Sequence, residues 1–164
     1  MKKIIGFTKV LLFVFMFALM IFMFGCGVVD GKNDIYGNND KISKPGDSYS
    51  FQSRIGKTDE KNMDVEYDKF TGVQTIWTIN VTQNGEIEIY VDSQVKKGDF
   101  KVVLVTPDQE VIKVLESTGD ETSTVPLSKG KYSIKIVGKN SKGTIKINLS
   151  VSDGAEVSLQ NNDM

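Results

Sequence analysis

A two-residue alternation of apolar and polar side chains fills much of the chain between residues 86 and 151. Ile87, Ile89 and Val91 alternate with charged or polar neighbours, and Thr144–Val151 repeats the pattern over a longer stretch. Successive side chains of a β-strand point to opposite faces of a sheet, so this period predicts strands with one buried and one wet face. No part of this region shows the 3.6-residue period of a convincing amphipathic helix.

Turn-forming residues separate these runs at short intervals. Asn84-Gly85 favours a hairpin that joins Thr75–Val81 to Glu86–Val91, and Pro107-Asp108 favours a turn before Glu110–Glu116. Seven or eight short one-sided strands follow from this spacing. The sequence therefore predicts an all-β fold, a single small antiparallel β-sandwich of the jelly-roll or immunoglobulin-like type.

Three further features define the expected sandwich. Pro126 lacks an amide donor, which places its strand at a sheet edge, and Asn140 to Gly143 is expected to turn the chain into the last strand. The alternation also predicts that eleven apolar residues share one buried layer. They are Ile87, Ile89, Phe100, Val102, Leu104, Tyr132, Ile134, Ile136, Ile145, Ile147 and Leu149.

The N-terminal segment has the parts of a secretory signal. Its only charges are Lys2, Lys3 and Lys9, and the apolar run Val10–Phe24 ends just before Cys26, the only cysteine in the chain. As a helix this run would span about 22 Å, which is short against roughly 30 Å of bilayer hydrocarbon. No second cysteine exists for a disulfide, so the thiol is interpreted as an attachment point.

The stretch Met23-Phe24-Gly25-Cys26 resembles the lipobox of bacterial lipoproteins, in which a small residue precedes the cysteine. The resemblance implies that residues 1–25 are a cleaved lipoprotein signal peptide and that Cys26 carries acyl chains such as palmitate. The protein would then be tied to the outer face of the cytoplasmic membrane of a Gram-positive bacterium. Two alternatives stay open, an uncleaved membrane anchor and ordinary secretory cleavage after Gly27.

The rest of the chain divides by composition. Residues 26–48 are rich in Gly, Asn, Asp and Lys and are expected to be a flexible tether from the lipidated cysteine. Residues 49–152 contain the alternating pattern and are expected to form the β-sandwich domain. Residues 153–164 are polar and are expected to be a disordered tail.

The runs "GDFKVVLVTPDQEV" and "LSKGKYSIKIVGKNSKGTIKINL" resemble the pre-peptidase C-terminal type of secreted β-sandwich. The similarity covers about Gly85 to Leu149 and rests on structural positions, namely glycines at turns and Tyr132 at a sheet corner. Such domains accompany secreted enzymes and surface proteins. By analogy the resemblance implies an accessory, non-catalytic role.

Composition excludes several functions. The chain has no histidine, which excludes Ser-His-Asp and Cys-His catalysis and zinc sites built on imidazole. Its net charge of −1 at pH 7 becomes more negative once the three N-terminal lysines are set aside, so a nucleic-acid partner is not expected. The chain is therefore not expected to be an enzyme, and no cofactor is expected.

Asp64, Glu66 and Asp68 are spaced by two residues, so in a strand they project from one face. Carboxylate oxygens are ligands for calcium, often at the rim of a β-sandwich. The alternative is a solvated strand face neutralised by Lys61 and Lys69. The stretch lacks a sharp glycine turn that would fold the chain around an ion, so the solvated face is preferred and no metal is expected.

Exposed aromatic rings are the other candidates for binding. Tyr90 alternates with apolar neighbours and is expected at the surface, where Tyr67 could join it to form a small ligand-binding platform. Trp77 shares its strand face with Ile79 and Val81, and is expected in the core.

Two classes of function are consistent with these features. The first is a membrane-anchored, surface-exposed lipoprotein whose non-catalytic β-sandwich is a binding or structural module that contacts a cell-wall polymer or another envelope protein. The second is an accessory subunit, a chaperone or inhibitor of a secreted or envelope enzyme. An accessory subunit would need a broad apolar patch on its solvent side, for which Val103, Val105 and Val137 are candidates.

Overall fold

The computed structural model describes residues 34–160, and in this range the chain forms eight antiparallel β-strands and one short helix. The elements are α1 (Asn39–Ser43), β1 (Ser48–Ser50), β2 (Ser53–Thr58), β3 (Asn62–Val81), β4 (Gly85–Val105), β5 (Val111–Glu116), β6 (Gly119–Leu127), β7 (Gly130–Val151) and β8 (Ala155–Leu159). The predicted all-β class is confirmed.

Three long strands organise the fold. β3, β4 and β7 contain 20, 21 and 22 residues, and β7 lies between the other two and pairs with both along almost its whole length. The pairing of β3 with β7 shifts register between Tyr67 and Gly72, and that of β4 with β7 shifts between Val95 and Asp99. Such bulges bend a strand, so each long strand turns a corner and contributes to two layers.

The corner comprises residues 68–72, 95–99 and 138–143. Four of its residues have positive φ, namely Lys69, Gly72, Gly98 and Asn140. At Gly98 a Cβ atom would lie 2.3 Å from the carbonyl oxygen of Asn140, so only glycine lets the two bent backbones approach this closely. The corner is therefore built from close backbone contact as well as from bulges.

The two layers have different neighbours. In the first layer β2, β3, β7, β4 and β6 lie side by side, and in the second layer β1 and β8 flank β3 while β5 flanks β4. Trp77 in the second layer donates its indole N–H to the carbonyl oxygen of Asp59 in the first-layer loop between β2 and β3, at 2.7 Å. This contact joins the layers away from the corner, and the fold is a β-sandwich.

The core between the layers confirms the predicted buried set. All eleven residues of that set are at most 7% exposed, and Trp77 is also fully buried. At the corner the rings of Tyr67 and Phe100 stack at 4.9 Å between centroids, and Phe51 stacks on Phe70 at 4.5 Å. The two-residue alternation of apolar and polar side chains therefore correctly predicts which of these residues lie in the core.

Two predicted turns are wrong and two other local predictions are confirmed. Asn84-Gly85 does not close a hairpin, because β7 separates β3 from β4. Asn140 to Gly143 is a bend inside β7 and not a loop. The Pro107 turn does join β4 to β5, with the Thr106 amide donating to Glu110 at 2.9 Å, and Pro126 lies in β6, which pairs with β4 alone among the described strands.

Both ends of the described chain are more ordered than expected. Residues 155–159, predicted as part of a disordered tail, form β8 on the edge of β3, where Val157 and Leu159 pack against the core. Residues 34–47, predicted as part of a flexible tether, pack on the outside of the second layer through Ile35 and Ile42. In each case isolated apolar side chains in a polar segment supply the contact that composition alone does not reveal.

The predicted signal peptide, residues 1–25, and Cys26 lie outside the described residues. Within residues 34–160 no helix has the length and apolar character needed to span a bilayer.

Candidate functional site

Residues 34–47 form a strap across the outer face of the second layer. The strap contains α1, which is capped by the Asn38 side chain accepting a hydrogen bond from the Lys41 amide at 3.0 Å. Ile35 and Ile42 are buried against an apolar cluster outside the main core. The sheet side chains of that cluster are Val73, Val103, Val105 and Val137.

Polar contacts fix both ends of the strap. At its start Tyr36 donates its hydroxyl to Glu116 at 3.0 Å, and the ammonium group of Lys101 lies 4.7 Å from the centre of the Tyr36 ring. Burial, followed by the hydrogen bond to Glu116, raises the pKa of Tyr36 above its usual range. At its end Asp47 accepts hydrogen bonds from the amide and the hydroxyl of Thr75 at 2.9 and 2.7 Å.

The strap overturns one prediction about binding. The accessory-subunit alternative names Val103, Val105 and Val137 as candidates for an exposed apolar patch, but they are 0, 5 and 0% exposed. They do lie on the outer face of the second layer, as the alternation indicates, and the strap covers them there. No helical period is visible in the sequence of the strap, because α1 is only five residues long.

A cleft of about 730 Å³ opens beside the strap on the same outer face. Its floor is formed by the outward-facing residues of β7, namely Lys131, Ser133 and Lys135. One wall is the chain that leads from α1 into β1, and the other is the turn between β4 and β5 at Pro107. The corner, the strap and the cleft thus follow one another along the second layer.

Lys135 lies at the junction of strap and cleft. It is 3% exposed, and its ammonium group donates a hydrogen bond to the carbonyl oxygen of Lys44 at 2.8 Å. Burial lowers the pKa of Lys135, while the negative charge of Asp47 raises it in part. Lys131, four residues earlier on the same face of β7, is exposed, so one cation is fixed under the strap and another is accessible.

The remaining lining of the cleft is rich in hydroxyl and amide groups. These groups both donate and accept hydrogen bonds, which suits a ligand that carries many hydroxyl groups. Some are already engaged within the protein, as Thr75 is with Asp47. The hydroxyl and amide residues of the lining are Ser43, Tyr49, Thr75, Thr78, Thr106, Gln109, Ser133 and Gln160.

Sequence reasoning missed this cleft for a specific reason. The alternation does place Lys131, Ser133 and Lys135 on the wet face of their strand. The wall that turns this face into a cleft comes from residues 43–49, most of which the composition predicts to be a flexible tether. No local pattern in those residues signals that they dock on the sheet.

The predicted acidic face exists, with different partners from those expected. Asp64 and Glu66 are exposed and Asp68 is partly exposed, all on one face of β3. Asp64 lies 3.8 Å from the Lys146 ammonium group and Asp68 2.8 Å from that of Lys142, in place of Lys61 and Lys69. The hydrogen bond from Lys142 lowers the pKa of Asp68.

These partners follow from sheet pairing. The antiparallel register of β3 with β7 sets Asp64 directly opposite Lys146, which no sequence pattern within either strand indicates. Among residues 34–160 no group of three or more His, Cys, Asp or Glu side chains is placed to hold a metal ion. Two of the three carboxylates, those of Asp64 and Asp68, therefore face ammonium groups on a solvated strand face.

The predicted tyrosine platform is wrong. Tyr90 is 37% exposed on the outer face of the first layer, as expected, but Tyr67 is 1% exposed and points into the core. Tyr67 alternates with the exposed carboxylates of β3, so the two-residue period itself sends its ring inward. Burial raises the pKa of Tyr67 to about 12, with the nearby Ser141 hydroxyl opposing the shift.

Comparisons with known proteins name no family for this chain. No family model matches it, and no curated protein matches it. The resemblances to bacterial lipoproteins and to pre-peptidase C-terminal domains therefore stay predictions.

Comparison with solved structures gives matches of low similarity. The CBM35 module from Cellvibrio japonicus Abf62 is 15% identical, with a TM-score of 0.36 over 70% of this chain and 82% of that one. A mutant of the carbohydrate-binding module CBM29-2 complexed with mannohexaose is 12% identical, with a TM-score of 0.34 over 69% and 82%.

An active-site mutant of a family two carbohydrate esterase from Clostridium thermocellum is also 12% identical, with a TM-score of 0.36 over 71% of this chain and 33% of that one. At these TM-scores and identities, none of the three similarities carries an inference about ligand or activity.

Proposed function

We propose that this chain is a membrane-anchored, surface-exposed lipoprotein whose β-sandwich is a non-catalytic binding module, and that its ligand site is the cleft on the outer face of β7. The observation that carries the binding role is the cleft itself, an open polar concavity of about 730 Å³ that the strap forms on the second layer. Its volume lies within the range of pockets that hold small ligands, roughly 300–1,000 Å³.

The lining favours a ligand that combines hydroxyl groups with negative charge. Lys131 and Ser133 present a cation and a hydroxyl side by side, and amide groups of Gln109 and Gln160 lie around them. Hydrogen bonds from a charged donor to an anionic acceptor are stronger than neutral ones. An acidic cell-wall polysaccharide carries both hydroxyl groups and negative charge. It is also within reach of a protein anchored at the outer face of the cytoplasmic membrane.

The accessory-subunit alternative loses its sequence support. It relied on an exposed apolar patch at Val103, Val105 and Val137, which the strap covers. The anchoring part of the proposal rests on the sequence around Cys26, where the apolar run ends at the only cysteine.

Calorimetric titration of the full chain in detergent with acidic and neutral cell-wall polysaccharides tests the cleft. Lys131→Ala should weaken binding of the acidic polymer at least about tenfold, since hydrogen bonds to charged groups contribute roughly 1.5–3 kcal/mol. Lys129→Ala is the matched control, because Lys129 is exposed two residues away and does not line the cleft. Equal weakening by the two substitutions, or no binding of either polymer by the parent chain, contradicts the proposal.

A further inference from the structure

The corner carries a concentration of positive charge. Five lysines lie in its three segments, and the pairing of β4 with β7 sets Lys97 opposite Lys142. Four of the five are exposed and Lys142 is partly exposed. They are Lys69, Lys96, Lys97, Lys139 and Lys142.

Two carboxylates offset this charge only in part. Asp68 binds Lys142 at 2.8 Å, and Asp99 lies opposite Lys139 in the register of β4 with β7. The carboxylate of Glu116 on the neighbouring β5 already binds Lys113 and Tyr36. The corner is therefore positive within a chain whose net charge is −1.

The opposite strand ends are negative on balance, because five exposed acidic side chains there outnumber Lys61, Lys129 and Lys131. The loop between β2 and β3 holds Asp59 and Glu60, the turn between β4 and β5 holds Asp108 and Glu110, and the loop before β8 holds Asp153. All of these residues are exposed. The domain is thus electrically polarised, with its positive end at the corner.

The chain enters the domain beside this positive end. Ile35 packs in a cluster with Val73 and Val137, which directly follow and precede the corner residues Gly72 and Gly138. Cys26 precedes Ile35 by nine residues, so even a fully extended chain places the two within about 30 Å of each other. A membrane anchor at Cys26 therefore keeps the corner within reach of the lipid surface.

We propose that the lysines of the corner bind the anionic headgroups of the membrane to which the protein is attached. The proposal rests on the proposed anchoring at Cys26. Acyl chains and a basic patch act together in membrane binding, and each lysine near an anionic surface adds to the attraction. Binding at the corner gives the β-sandwich a defined orientation on the membrane. The end of the cleft that contains the accessible Lys131 then points away from the lipid.

Lysine labelling in reconstituted vesicles tests this orientation. The full chain is purified from membranes and placed in vesicles of phosphatidylcholine with phosphatidylglycerol, or of phosphatidylcholine alone, and then exposed to a water-soluble lysine-acylating reagent. Labelling of Lys97 and Lys139 should be roughly fivefold lower on the anionic vesicles, and about 1 M salt should abolish the difference. Lys61 and Lys129, at the other end of the strands, should label equally on both.

Two triply substituted chains distinguish binding by the corner lysines from a general attraction between the protein's positive charge and anionic lipid. Combining Lys96→Gln, Lys97→Gln and Lys139→Gln should remove the protection of Lys69. Combining Lys57→Gln, Lys61→Gln and Lys129→Gln, which removes the same charge elsewhere, should preserve it. Protection of Lys69 that is lost equally in both chains overturns the proposal.

Two further readouts separate this proposal from its alternatives. Intact mass of the same sample shows whether Cys26 carries lipid, and a chain without lipid is coupled through that single thiol to a maleimide-bearing lipid before labelling. A lipid-free Cys26 then contradicts the anchoring, while the labelling still decides the role of the corner. A different result is protection of the corner lysines on phosphatidylcholine vesicles only when a soluble polyglycerol phosphate is added. That result identifies a wall polymer as the partner and overturns the membrane assignment.

Discussion

The ammonium group of Lys135 donates a hydrogen bond to the carbonyl oxygen of Lys44 at 2.8 Å, across 91 positions of sequence. This contact joins the strap to the central strand of the sheet at the point where the cleft begins. Lys135 is buried because the strap lies over it, so the strap creates both the cleft wall and the environment of this lysine. The folded unit therefore starts well before the first strand.

Removing a fully buried side chain of the strap should destabilise the whole domain. Ile42 is fully buried against the outer face of the second layer, so Ile42→Ala should lower the free energy of unfolding by about 2–5 kcal/mol. Denaturant unfolding followed by circular dichroism measures this. Ile55→Ala is the control, since Ile55 is 70% exposed and should change little. If residues 34–47 were a flexible tether, both substitutions would leave the free energy of unfolding nearly unchanged.

The register of β7 predicts opposite results for two adjacent residues. Ile147 is fully buried in the core, and Ile147→Ala should cost about 2–5 kcal/mol of unfolding free energy. Lys146 lies on the wet face, 3.8 Å from Asp64, and an exposed ion pair of this kind contributes at most about 1 kcal/mol, so Lys146→Ala should cost little. Similar losses from the two substitutions would place β7 one residue out of register.

Features of the fold that depend on neighbouring residues can be predicted from the sequence, and features that depend on residues far apart in the chain cannot. The two-residue period concerns neighbours on one strand, and it correctly assigned the buried layer and the wet face of β3. The Asn84-Gly85 signal also concerns neighbours, but strand order depends on β7, which is far away in sequence and is buried on both faces from Ile134 to Gly138. The cleft depends on a strap held by Ile35 and Ile42, and two isolated isoleucines form no pattern.

The buried hydroxyl of Tyr67 should make stability fall at high pH. Its pKa is raised to about 12 from an ordinary value of 10.0, so the folded state holds the proton more tightly than the unfolded state. The resulting stability is fully present below pH 10 and is lost as the pH rises from about 10 towards 12. Unfolding free energies at pH 8, 10 and 11 should therefore decline more in the parent chain than in Tyr67→Phe.

The same substitution should be mild at neutral pH. Among the described residues, the Tyr67 hydroxyl is buried without a hydrogen bond of good geometry, so Tyr67→Phe removes no satisfied interaction. A large loss of stability at pH 7 would show that the hydroxyl is bonded, for example to Ser141 or to a buried water. Identical pH profiles of the two chains would contradict the raised pKa.

Attachment at Cys26 predicts a defined mature form. Cys26 ends the apolar run and is the only cysteine, so the purified membrane form should begin at Cys26 and carry a diacylglyceryl group. Intact mass spectrometry measures both features at once. Cys26→Ser should release or mislocalise the domain, because the acyl chains that hold a protein at a membrane have then no thiol to join. Cell fractionation with an antibody to the domain follows that change. A species that still contains Met1, or one that starts at Val28 without lipid, would instead identify the uncleaved anchor or ordinary secretion.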